Sequence, residues 1–146
     1  MSKLLMAAAA ACLFMSAPVL AQANENPWRD GLFWDVTGIK VKDGSGLTYA
    51  NHLANSWQPN MEFQRSRGWI KGYHVLVNSF PREGEPDIYL ITTFDSMPSP
   101  EEQDRRATEM RAFTKMSMAQ ASAASGQRAE YRTVGSQMLL REQVKR

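Results

Sequence analysis

Between Leu32 and Lys42, β-branched and aromatic residues crowd together: Phe33, Trp34, Val36, Thr37, Ile39 and Val41. Such side chains suit a half-buried pleated surface, and the stretch predicts a first strand. Asp43-Gly44-Ser45-Gly46 ends it as a turn. The period then changes. Tyr49, Leu53, Trp57 and Met61 recur every four residues and draw one apolar stripe along a helix from Thr48 to Arg67. Arg65 and Arg67 lie in its last turn, and Gly68 stands where a left-handed closing residue is wanted. Pro59 falls inside this helix. It has no N–H to give and leaves the carbonyl of Asn55 without its usual partner, which predicts a kink or short break near Asn55–Pro59.

A second strand is predicted from Trp69 to Asn78, carrying Ile70, Tyr73, Val75, Leu76 and Val77. Pro81, Gly84 and Pro86 form the connection to a third strand, Asp87 to Phe94. The second helix has the clearest start in the chain: Ser99 as N-cap, Pro100 in the first helical position, and Glu102 completing a capping box. It runs through Ala107, Met110, Phe113, Thr114 and Met118 to about Ala124, and Gly126 stops it. Gln127 to Arg132 reads equally as a helical turn or a loop. Gly135 marks a turn, and Gln137 to Lys145 is the last strand.

The order is β-α-β-β-α-β, the split or ferredoxin-like arrangement of the α+β class. It predicts a four-stranded antiparallel sheet with two helices on one face. The other face carries large apolar side chains and no third layer is left to cover it. An uncovered face of that kind predicts an interface, and pairing two sheets in a symmetric homodimer covers it.

Composition changes the picture mainly at the N-terminus. Lys3 precedes an apolar run from Leu4 to Met15, Ser16-Ala17-Pro18 breaks it, and Val19-Leu20-Ala21 offers small residues at a cleavage spacing. That is the layout of a secretory signal peptide, too short to span a bilayer. Cleavage after Ala21 or Ala23 predicts a periplasmic or secreted protein; lipidation of Cys12 is the other way to read the segment. Of 146 residues, cleavage after Ala21 leaves 125, a linker from 22 to 31 and one domain from 32 to 146. The single cysteine leaves with the signal, so disulfides, a thiol nucleophile and a Cys-bound metal are excluded from the mature chain. The charge of +2 excludes a strongly basic nucleic-acid surface, and no membrane contact is expected once the signal is gone.

The Tyr49…Leu53…Trp57-x-Pro59 helix and the Gly68-Trp69-Ile70-Lys71-Gly72-Tyr73 lead into the second strand, taken with the order of elements, resemble the dimeric α+β barrel superfamily. That group includes antibiotic-biosynthesis-monooxygenase-like domains, and the likeness covers roughly residues 30 to 145. It implies a homodimer with a ligand cavity between sheet and helices in each subunit. It implies no single chemistry. Haem-degrading relatives hold iron with a His on the second helix; no His lies between Ser99 and Gly126 here, so no haem is expected. Cofactor-independent oxygenases of the group use Asn, Trp, Tyr and Arg around an aromatic substrate, types this chain has in Tyr49, Asn51, Asn55 and Trp57.

Among the residues themselves, His52 is the candidate catalytic group. It lies one helical turn after Tyr49 and one before Ser56, beside the apolar stripe, where it can point into a cavity as a general base. The ordinary alternative is a half-buried His satisfying the hydroxyl of Tyr49 or Ser56. His74, mid-strand, suits a sheet-face or interface role. A metal site would need His52, His74 and a carboxylate such as Asp35 to converge, which no spacing supports, and no metal or other cofactor is expected. No Gly-rich phosphate loop and no Gly-x-Ser-x-Gly elbow is present. Arg105, Arg106 and Arg111 with Glu101, Glu102, Asp104 and Glu109 read as a solvated helix face, and Met110, Met116 and Met118 as gap fillers.

The expected ligand set is Tyr49, His52, Asn55, Trp57, Tyr73 and Tyr89, around a small, largely apolar or aromatic molecule. Trp57 adjoins the kink and has a polar handle that wants a partner. The expectation is therefore a homodimeric exported binding protein. A cofactor-independent monooxygenase-like enzyme working through His52, Tyr49 and Trp57 is its rival, and a purely structural or interaction role is the third possibility.

Overall fold

The computed structural model describes residues 26–146; the expected signal peptide lies outside the described residues. Strand β1 (Trp28–Val41) is followed by α1 (Gly46–His52), a π-helical segment (Leu53–Trp57) and α2 (Gln58–Ser66). Then come β2 (Gly72–Val77), β3 (Ile88–Phe94), α3 (Pro100–Thr114), α4 (Met118–Gln127), a 3-10 turn (Arg128–Glu130) and β4 (Arg132–Lys145). The four strands form one antiparallel sheet in the order β2-β3-β1-β4. The fold is α+β.

β1 takes in Trp28–Gly31, which the sequence pattern assigned to a linker. Its partner β4 reaches the same length because Gly135 does not turn the chain. Gly38 pairs with Ser136 and the next pair is Ile39 with Val134, so Gly135 is the extra residue of a bulge inside the strand. A Cβ at Gly38 would collide with Pro86 and with the hydroxyl of Ser136, so the close approach there requires glycine.

The core lies between the sheet and the first helical stretch. Ile39, Tyr49 and Leu53 are buried, with Val41, Trp57, Ile88, Leu90 and Tyr131 packed around them. Alternation along the strands sends Trp34, Val36, His74, Leu76, Tyr89, Ile91, Met138 and Leu140 to the opposite face. Val36 and Ile91 are buried there, flanked by Trp34 and His74, whose rings stack at 6.4 Å. Leu76, Met138 and Leu140 stay exposed, and no helix among the described residues covers them.

The second helix is where the sequence pattern and the fold part. The expected single helix from Ser99 to Ala124 breaks at Lys115, which adopts a left-handed backbone with φ +56°. Ser117 then caps a fresh helix through a full capping box with Gln120. At the other end, Ser99 accepts the Glu102 N–H as expected, but the Glu102 carboxylate pairs with Arg105 and Arg106 and does not reach back. The two expected helices on one face are thus three. α3 packs on the flank of α2: Phe113 stacks on Phe63 at 4.2 Å, Glu109 meets Arg67 at 3.3 Å, and the Arg106 guanidinium lies over Trp69.

Candidate functional site

The site begins with a proline. Pro59 cannot supply the N–H that would close a regular turn, and the helix resolves this without breaking. The Gln58 N–H donates to the carbonyl of Leu53, five residues back, and the backbone runs as a π-helix from Leu53 to Trp57. The expected kink or short break is therefore a widened turn. The wider turn brings His52, Ser56, Trp57 and Asn60 to one side of the helix. Facing them are Met110 and Arg111 of α3, Met118 of α4, and Arg128 and Tyr131 beyond it. Together these residues enclose an open groove of about 870 Å³.

The groove therefore lies between helices, whereas the superfamily likeness implied a cavity between sheet and helices. A smaller pocket of about 360 Å³ does lie between the first helical stretch and β2, lined by Leu53, Trp57, Gln58, Tyr73 and Val75. Trp57 borders both and separates them.

His52 lines the larger groove and is half-buried. Its ring stacks on Tyr49 at 5.9 Å and lies 6.4 Å from Tyr131, while Tyr49 and Tyr131 are 6.2 Å apart. Burial lowers its pKa below 6.5, and Arg128 and Arg132 push the same way. The imidazole is therefore neutral at pH 7. No hydrogen bond joins it to the hydroxyl of Tyr49 or Ser56, so the half-buried setting is as expected but the hydroxyl partner is not. Burial raises the pKa of Tyr49, with the nearby Arg132 and Arg128 opposing it in part. The arrangement can offer a flat apolar body two aromatic rings (Trp57 and Tyr131), three thioethers and a neutral imidazole able to give or take one proton.

The expected ligand residues are spread over four places. His52 and Trp57 line the groove and Tyr49 backs it. Tyr73 belongs to the smaller pocket, its ring edge-on to Trp57 at 5.4 Å and its hydroxyl donating to a Glu62 oxygen. That hydrogen bond to the carboxylate raises the Tyr73 pKa. Arg65 holds the other oxygen of Glu62 at 2.7 Å. Asn55 is exposed on the π segment and does not line the groove. Tyr89 lies on the opposite sheet face, as does His74. His52 and His74 are thus on opposite sides of the sheet, and no cluster able to hold a metal ion occurs among the described residues. No helix among them is long and apolar enough to cross a membrane.

Sequence reasoning missed Arg128 and Tyr131, which fall in the segment whose conformation the pattern left open. It also grouped Arg111 with Arg105 and Arg106. Arg105 and Arg106 do bind the carboxylates of their own helix, but Arg111 turns to the groove. The methionines read as gap fillers form the groove's far wall. The available signal was the pair of Ser-x-x-Gln/Glu caps, at Ser99 and again at Ser117, which marks two helix starts and hence a bend that closes a groove. No family model matches the chain, and neither a curated protein nor a solved structure is detectably similar to it.

Proposed function

We propose that this is an exported, homodimeric α+β barrel protein of the ferredoxin-like arrangement that binds a small, largely apolar or aromatic molecule in its helix-lined groove. Reading the strands from the β4 edge gives 4-1-3-2, the order a split β-α-β unit produces, which supports the arrangement. The exposed Leu76, Met138 and Leu140 on the uncovered face support pairing through that face. The observation that carries the ligand reading is the groove itself: an 870 Å³ concavity built on a π-helical turn, walled by Trp57, Tyr131 and methionines.

Native mass spectrometry of the protein purified from a periplasm tests both parts at once. The expected species is a dimer that retains a small organic molecule, released by Trp57→Ala. A monomer of mature mass sinks the pairing. A protein that carries nothing and binds no aromatic compound sinks the groove reading.

One observation favours an enzyme as the second reading. His52 is neutral at pH 7, half-buried and free of hydrogen bonds to its neighbours, the state a general base needs. In a cofactor-independent oxygenase it would draw a proton from an aromatic substrate held against Trp57, with the enclosed Tyr49 ring backing the imidazole. Turnover that is lost in His52→Ala while folding and binding persist selects this reading; binding without turnover selects the first.

A further inference from the structure

Ion pairing divides the arginines of this chain into two groups. Arg65, Arg67, Arg82, Arg105, Arg106 and Arg141 each meet a carboxylate within 4.0 Å. Arg29, Arg111, Arg128, Arg132 and Arg146 meet none among the described residues; Arg29 and Arg146 are exposed to solvent, and the other three are half-buried. A charge withdrawn from water without a counter-charge is costly, so a cluster of such groups is a place prepared for an anion. The three also share a location. Arg111 and Arg128 line the helix groove. Arg132 lies 6.0 Å over the Tyr49 ring that backs it. Arg128 is fixed in place by donating Nη1 to the carbonyl of Ala124 at 3.0 Å, while its Nε is shut from solvent with no partner. Arg111 is steadied from below by Thr108, whose hydroxyl accepts from Nη2 at 2.9 Å. Glu130 is the one carboxylate on the groove wall, and it pairs with neither arginine.

The apolar part of the groove is at the same site. Trp57, Met110 and Met118 offer surface to a hydrocarbon or aromatic body, and the arginines lie along the α3–β4 side of it. We infer that the ligand of this groove is an organic acid: an aromatic or apolar body held on Trp57 and the methionines, with its carboxylate received by Arg128 and Arg111. This rests on the groove being the binding site and adds the chemical class of what enters it. Guanidinium donors match a carboxylate in geometry as well as charge, and such charge-assisted bonds are about twice as strong as neutral ones. A neutral His52 fits beside them, since a further positive charge there would find no carboxylate on its own helix turn.

Calorimetric titration with 1-naphthoate and with its neutral counterpart 1-naphthamide separates the two claims. The acid is expected to bind about tenfold more tightly than the amide, with the advantage shrinking as salt is raised. Arg128→Gln, which keeps a donor for the Ala124 carbonyl and removes the charge, is expected to cost the acid about tenfold and leave the amide unchanged. Arg111→Gln, on α3, is the second variant should Arg128→Gln lose its fold, and the same selective loss is expected. Equal binding of acid and amide overturns the inference and leaves the groove reading standing. An acid preference that survives both substitutions overturns it as well. Binding of neither probe overturns the groove reading and the inference with it.

Discussion

The first half of the chain, β1 to β2, and the second half, β3 to β4, repeat the same plan with different depth. In the first, Tyr49 is 1% and Leu53 8% exposed, locked against Ile39 and the sheet. In the second, neither α3 nor α4 has a buried residue, and Phe113 and Met118 remain 43% and 73% exposed. The first helical stretch is therefore the one that holds the sheet together, and α3 with α4 forms a wall beside it. A wall that contributes little to the core is free to be shaped by what it encloses, and local stability of this low kind is where binding elements are usually found.

The comparison breaks most visibly if the two halves respond alike to truncation. Tyr49→Ala should cost about 3–5 kcal/mol, since the ring is fully enclosed. Phe113→Ala should cost about 1 kcal/mol, chiefly the stack on Phe63. Urea denaturation measures both, and equal losses would mean α3 carries as much of the core as α1. The glycines give a second contrast. Gly38→Ala should cost about 2 kcal/mol by forcing Pro86 and Ser136 apart, whereas Gly126→Ala, with open space around it, should stabilise α4 by roughly 0.5–1 kcal/mol.

Smaller effects sharpen the boundary between wall and core. Ser117→Ala removes the cap that restarts the chain after Lys115 and should cost about 1 kcal/mol. Its loss should appear as faster amide exchange confined to α4. The smallest effect is on pH dependence. The folded pKa of His52 lies below the unfolded 6.5, so as pH falls through that range the unfolded chain takes up the proton first. Stability attributable to His52 is full above about 6.5, declines as pH falls toward its folded pKa, and then levels. His52→Gln should flatten that segment of the stability profile, and an unchanged slope would place the imidazole in water.

Much of the fold is legible in residue pattern. The β-branched and aromatic runs give the first three strands and the apolar Met138–Leu140 run with Val144 gives the fourth, the Tyr49–Met61 stripe gives the first helix and its buried face, and Ser99-Pro100 gives the start of the second. Three features are not. Gly135 reads as a turn because sequence does not reveal that Gly38 lies opposite, where the bulge relieves crowding. Pro59 reads as a breaker because a π-turn is only one of several ways to bypass a missing N–H. Lys115 reads as helix because nothing in its side chain calls for a left-handed backbone. The candidate site inherits the last two. His52 and Trp57 stand out in the sequence by chemistry, while Arg128 and Tyr131 join them only because the bend at Lys115 carries α4 back across the groove. Asn55, Tyr73 and Tyr89 share residue type with the site but not its location, since strand alternation and helix phase assign them elsewhere.

The proposed binding site is the helix groove and not the uncovered sheet face. Backbone and indole chemical shifts followed by NMR during titration with 1-naphthoate test it most directly. Perturbations are expected to centre on His52, the Trp57 indole and the Arg128 amide and to fade across β3. Shifts centred on Leu76, Tyr89 and Met138, or none at saturating probe, would contradict it.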